Sequence, residues 1–230
     1  MTILMKQNFY IPYEKQEETR VNRMCGAAAL AMVYRSLGLT VTQSEIWNNI
    51  STPDNRGGRF AKTSILCQDA LERGLKSIII KAKDPLHVLH ICDKNSVRAI
   101  LNLRLRSRSA LGHFTVLVRI TNKFVTCHDP QYGPYRRISK KNILDLWLPN
   151  ASDCEIGGNI LVVLTNKYQS KYICPSCSME IPDSIQCYNP KCRKIIPLQP
   201  GNILGCVNYY CPEITWQLIF CPYCESWISP

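Results

Sequence analysis

An α+β fold, with helices first and an antiparallel sheet after them, is predicted by three features of this 230-residue sequence. Helix signals crowd its first third, strand signals fill its middle, and the final sixty residues trade large apolar side chains for paired cysteines. Helices segregated from strands, rather than alternating with them, mark this class. After a polar lead-in, Cys25, Ala28, Met32 and Leu37 recur at helical spacing among strong helix formers, and Gly38 supplies a stop. Thr42 and Glu45 read as a capping box opening a short helix through Trp47. Residues 53–58 carry turn chemistry, and residues 63–73 read as a second long helix ended by Gly74. A strand is expected over 77–82 and a short helix over 86–91. In the strand expected over 97–105, Val97, Ala99, Leu101 and Leu103 alternate with Arg98, Asn102 and Arg104. The apolar runs 113–120 and 124–129 meet at Thr121-Asn122-Lys123, a hairpin signal, and residues 160–165 form a last strand.

A hydrophobic content of 46% suits a packed core, and no apolar run approaches the roughly eighteen residues a membrane span needs. Residues 1–10 lack the basic start and long apolar stretch of a secretory signal, so a cytoplasmic protein is expected. In that setting thirteen cysteines read as reduced thiols used for metal binding or catalysis. The formal charge of +11 lies wholly in the first part, since residues 171–230 hold four basic and four acidic side chains. It is densest at Arg104, Arg106, Arg108, Arg136, Arg137, Lys140 and Lys141. Lacking interleaved aromatic residues on which bases could stack, these read as a solvated face rather than a nucleic-acid site.

Cys25 stands at the start of its helix, where unpaired N–H groups and the helix dipole favour a thiolate. The competing reading is a small buried cysteine packing a helix start. The hairpin places His113 beside or diagonal to Asp129 at one open end. An imidazole able to take the thiol proton and return it to a leaving amine, oriented by a carboxylate, completes a nucleophilic set. Taken singly, His113 could be a strand-end histidine on a carbonyl, and Asp129 before Pro130 a turn starter. His128 adjoins Asp129 but faces the opposite side of its strand, and so ranks below His113 as the base.

The run from Cys25 to Met32, Gly38, the Gly112-His-Phe-Thr-Val-Leu-Val118 strand and the Asp129-Pro130 pair together resemble the C39 family of papain-like cysteine peptidases, over residues 10–165. The resemblance implies a papain-like fold and assigns catalytic roles to Cys25, His113 and Asp129. Members typically cut leader peptides after a double glycine, often as the cytosolic domain of an export transporter. The implied activity is a cytosolic thiol peptidase acting on a peptide or protein with a Gly-Gly motif. The family places an oxyanion glutamine six residues before the cysteine, where this chain has Thr19; Gln16 and Asn22 are the candidate substitutes. Loss of one such donor costs about 10²-fold to 10³-fold in rate. The alternative is therefore a weak or silent papain-like adaptor that binds glycine-ended tails.

From residue 169 a second, smaller domain is expected, the first spanning 1–168. Cys174 and Cys177 have two residues between them, Cys187 and Cys192 four, Cys206 and Cys211 four, and Cys221 and Cys224 two. Eight thiolates at such separations suit two closed tetrahedral Zn²⁺ sites, with iron–sulfur ligation as the competing metal chemistry. The segment resembles a double zinc ribbon, with the pairing of its ligands open. Filled by sulfur, neither site leaves a position for metal catalysis. Its balanced charge points to a protein partner, or to substrate recruitment, rather than nucleic acid.

Overall fold

The computed structural model describes residues 10–17, 24–53, 57–106, 112–147, 158–167 and 172–228. Three helices come first: α1 (Cys25–Ser36), α2 (Gln43–Ile50) and α3 (Thr63–Glu72), with a small hairpin of β1 (Ser51–Pro53) and β2 (Arg59–Ala61) between the last two. They are followed by β3 (Lys76–Ala82), α4 (Pro85–Asn95), β4 (Arg98–Arg104), β5 (Gly112–Ile120), β6 (Phe124–Asp129), β7 (Gly133–Ser139), α5 (Lys140–Trp147) and β8 (Ile160–Thr165). The cysteine-rich segment contributes β9 (Tyr172–Ile173), β10 (Glu180–Ile181), β11 (Ser184–Gln186), β12 (Ile195–Pro197), a single turn α6 (Gly201–Leu204), β13 (Trp216–Phe220) and β14 (Trp227–Ile228).

Helix α1 is buried continuously from Cys25 to Tyr34, with its first charge at Arg35. Four alanines let it lie close to its neighbours, and Gly26 sits where a side chain would be crowded: an added Cβ would be 3.0 Å from Ala61 Cβ. Left-handed glycines end the helical stretches as expected, Gly38 at φ +89° and Gly74 at φ +80°. The capping box of α2 forms in full, with the Glu45 N–H on Thr42 Oγ1 at 3.2 Å and the Thr42 N–H on Glu45 at 2.8 Å. α4 runs four residues past its expected end because Asp84 caps its start and Ser96 closes it in the left-handed conformation.

One antiparallel sheet of eight strands, in the order β14-β13-β3-β8-β4-β5-β6-β7, divides two cores. On one face α1, α2 and α3 pack against Ile79, Ile100, Val116, Val162 and Leu164. On the other, α4 and α5 pack against Ile80, Leu101 and Leu161. Because helices cover both faces, β8 is buried throughout and β3, β4 and β5 largely so. Arg98 is only 5% exposed, and its Nε donates to Ser36 Oγ at 2.8 Å.

Two connections had no counterpart in the sequence reading. β7 extends the hairpin to a third strand and passes directly into α5. The cysteine-rich segment also returns to the sheet, where β13 pairs with β3 through Ile219↔Ile80 and Phe220↔Ile79. Trp216, Ile196 and Leu198 thereby join the same core as Ile78 and Leu161. The expected junction at 168/169 lies outside the described residues.

Candidate active site and metal centres

Cys25 is the first residue of α1, and its residue is 9% exposed. His113 enters near the start of β5 and Asp129 ends β6, and their hairpin closes at Thr121, whose N–H donates to Phe124 O at 2.8 Å. His113 Nε2 and Asp129 Oδ1 lie 2.7 Å apart. The imidazole is also coupled electrostatically to the Cys25 side chain. A register shift between Cys127 and Asp129 in the β6–β7 pairing accompanies this geometry, as bulges next to functional sites commonly do.

Asp129 is fully buried and well supplied with donors. Its Oδ1 also accepts the N–H groups of Gln131 and Tyr132, each at 3.0 Å, while Oδ2 accepts from Arg136 Nη1 at 2.6 Å. The turn-starter reading and the histidine-partner reading of this residue are thus both realised. Burial alone would raise the Asp129 pKa, but the bond and charge of His113, the Tyr132 N–H and Arg136 hold it below the usual carboxylate range. Burial likewise opposes a charge on His113, yet Asp129 and Cys25, through hydrogen bonds and charge, lift its pKa to about 9.

His128 takes a different part. Its Nε2 lies 2.9 Å from Ile11 O, and its Nδ1 accepts the Tyr135 N–H at 3.2 Å, so Nε2 carries the proton and the ring is neutral. Burial pushes its pKa down, against the opposing Ile11 bond. Flanked by Tyr135 and Tyr13, with ring centroids 4.6 and 5.6 Å away, it ties the lead-in to the hairpin.

Gln16 reaches the same corner: its backbone N–H donates to Pro130 O at 3.0 Å, and the residue is 8% exposed. Gln43 of α2 grips the adjoining chain through Glu14 at 2.6 Å and Lys15 O at 2.8 Å. Asn22 and Thr19 lie outside the described residues. Arg136 is the contributor that the sequence reading assigned to a solvated face. Continuing the hairpin past Gly133 would have returned a third strand across Asp129 and exposed its role.

The cysteines gather into two interleaved quartets, one of Cys174, Cys177, Cys206 and Cys211, the other of Cys187, Cys192, Cys221 and Cys224. Within each, all four sulfurs lie within 4.8 Å of one another. The shorter separations are 3.6 Å for Cys174–Cys211, 3.5 Å for Cys177–Cys206, 3.6 Å for Cys187–Cys224 and 3.8 Å for Cys192–Cys221. A tetrahedral ion with bonds of about 2.3 Å sets its sulfurs about 3.8 Å apart, so the donor set fits a metal. Disulfides, at about 2.05 Å, do not match these distances. The second pair of each quartet comes from beyond the first pair of the other, so the sites close together rather than in sequence. Lys62 and Ser64, at the start of α3, hold Glu225 beside the last cysteine at 3.3 and 2.7 Å.

Helices packed on an antiparallel sheet, with a cysteine at a helix start facing a histidine and an aspartate from a hairpin, define the papain-like cysteine peptidase class. The sequence profile of the Peptidase C39 family matches residues 11–151, and the chain belongs to that family of cysteine peptidases. Among solved structures, the peptidase domain of Streptococcus ComA, a bifunctional ABC transporter in a quorum-sensing pathway, is similar at 19% identity and TM-score 0.51. The alignment covers 69% of this chain and all of that domain. A C39-like peptidase from Bacillus anthracis is similar at 15% identity and TM-score 0.54, over 70% of this chain and 97% of the other. No curated protein matches the sequence. Among the described residues no helix is long and apolar enough to cross a membrane.

Proposed function

We propose that Cys25, His113 and Asp129 form the catalytic triad of a thiol peptidase that cleaves after glycine. The observation that carries this reading is the buried His113, held by Asp129 at 2.7 Å and coupled electrostatically to Cys25 at the start of α1. With Nε2 committed to Asp129, Nδ1 is the nitrogen that exchanges a proton with the thiol. The Cys25 sulfur adds to the scissile carbonyl, His113 protonates the departing amine, and a water deprotonated by His113 then releases the acyl group. The Cys25 backbone N–H and the Gln16 side chain are the proposed oxyanion donors, Gln16 because the lead-in runs beside Pro130. Glycine before the cut lets the substrate backbone lie closest to Cys25.

Both quartets are proposed to bind Zn²⁺, which would supply structural cross-links and no reactive position. The cysteine-rich segment, as a unit spanning 169–230, would recruit the substrate or a protein partner, and its reduced thiols suit a cytoplasmic setting. The test is a peptide series with Gly-Gly, Gly-Ala, Ala-Gly and Ala-Ala before the cut. Cys25→Ala and His113→Ala should fall to background while His128→Ala keeps turnover, and Ala-Ala should be cut more than tenfold slower than Gly-Gly. Turnover surviving in His113→Ala but lost in His128→Ala would overturn the triad. Equal cleavage of Gly-Gly and Ala-Ala would overturn the glycine requirement alone.

A further inference from the structure

We propose that Arg136 is a positioning residue of the peptidase: it fixes the Asp129 carboxylate at Oδ2 so that Oδ1 remains directed at His113. This rests on the triad assigned above. Asp129 is buried completely, whereas the Arg136 side chain is one-third exposed, so the guanidinium reaches in from the surface to a carboxylate that solvent cannot touch. The two carboxylate oxygens divide their duties. Oδ1 takes the imidazole and the Gln131 and Tyr132 N–H groups, and Oδ2 takes Arg136 at 2.6 Å. Rotation of the carboxylate about its Cβ–Cγ bond would break both sets at once, so Arg136 locks the orientation that His113 depends on.

The guanidinium is itself fixed. Its Cζ lies 4.7 Å from the Tyr132 ring centroid, and that ring is in a T-shaped arrangement with the His113 ring, centroids 6.3 Å apart. Tyr132 thus touches all three members of the cluster, through its N–H and its ring. Arg137, the next residue, stacks on Phe124 instead, 4.3 Å from that centroid, and provides an internal control.

Arg136 also spreads the negative charge of Asp129 over two cations. Titratable or charged groups around the pair are Cys25 from α1, Tyr13 from the lead-in, Cys127 from β6, and Tyr132 and Arg136 from the turn and β7. Of these Arg136 alone is cationic. Removing it frees the carboxylate to turn, so His113 loses part of the fixed bond that stabilises its imidazolium.

The experiment follows the His113 ring by NMR in the metal-loaded full chain, alongside the pH profile of kcat and KM on the best-cleaved peptide. Arg136→Gln should move the His113 titration downward by about half a pH unit or more and lower kcat about tenfold, with KM little changed. Arg136→Lys should return the titration towards wild type while recovering kcat in part, because an ammonium restores the charged bond at Oδ2 but not the planar group that stacks on Tyr132. Arg137→Gln should change neither. A folded Arg136→Gln protein whose His113 titrates as in wild type overturns the proposal; should that variant fail to fold, a wild-type titration and kcat in Arg136→Met overturn it. The triad itself fails separately, by activity retained in His113→Ala.

Discussion

Cys25, His113 and Asp129 are brought together from a helix and two strands spread across the peptidase region, whereas each cysteine quartet draws its ligands from two short knuckles. The first corner is held by long-range packing: α1 is buried against the sheet, and the apolar runs of β3, β4 and β8 are covered on both faces. The second region gathers its thiols into two quartets that could hold metal ions and also contributes Ile196, Leu198, Trp216 and Ile219 to the shared core. One sheet nevertheless serves both, since β13 extends it at β3. The peptidase corner is thus set by packing and hydrogen bonds, whereas the cysteine-rich segment joins packing to two thiol quartets that could bind metal ions.

The most forceful way to break this comparison is to remove the metal. Zinc on four thiolates contributes on the order of 10 to 16 kcal/mol per structural site at neutral pH, more than an entire small domain's usual stability. Two zinc ions per chain are expected by elemental analysis. Chelation should unfold the cysteine-rich segment and uncover the β3 edge at Ile79 and Ile80, while a protected amide set persists in α1, β4 and β5 by hydrogen exchange. A single ion per chain, or visible absorption of an iron–sulfur centre, contradicts the two-site description. Simultaneous loss of all protection would show the two regions to be one cooperative unit.

A smaller effect separates the two buried histidines. The folded pKa of His113 is raised from 6.5 to about 9, so its stabilising contribution is fully present below 6.5 and is lost as pH rises through about 9. That of His128 is lowered, so its contribution is present above 6.5 and is lost as pH falls. Asp129, also lowered, acts in the same acidic direction at lower pH. Melting temperatures of His113→Gln and His128→Gln measured across pH should therefore flatten opposite limbs, alkaline for the first and acidic for the second. Identical limbs would mean that the Asp129 and Cys25 partners of His113 and the burial of His128 do not set these titrations.

Much of this architecture was legible because local chemistry and tertiary structure agree. Thr42 and Glu45 announce α2, Gly38 and Gly74 end their helical stretches, and the 121–123 turn fixes a register that carries His113 to Asp129. Three things were hidden, each for a physical reason. Arg98 sits in an apolar alternation yet is buried, because a helix covers the face that alternation assigns to water. Arg136 looks like one charge in a basic cluster, and only the third strand shows which carboxylate it answers. The quartets' interleaved pairing follows from how the knuckles fold back, which cysteine spacing alone leaves free.

The finest test of the comparison lies where the two regions touch. Ser64 Oγ donates to Glu225 at 2.7 Å and Lys62 Nζ lies 3.3 Å from the same carboxylate oxygen, linking the start of α3 to the knuckle of Cys221 and Cys224. The Ser64 residue is 2% exposed, whereas the side chains of Lys62 and Glu225 are about one-third exposed, so solvent screens the ion pair and the serine bond carries most of the coupling. A hydrogen bond to a charged partner is worth about 1.5 to 3 kcal/mol, reduced here by that exposure to about 1 kcal/mol. A double-mutant cycle of Ser64→Ala and Glu225→Gln, read by chemical denaturation of the metal-loaded chain, should return a coupling of that size. The Lys62→Met counterpart should couple to Glu225→Gln by no more than a few tenths of a kcal/mol. If the serine cycle returns no coupling, the cysteine-rich segment is joined to the peptidase through β13 and the shared core alone, and the knuckle is free to move without disturbing α3.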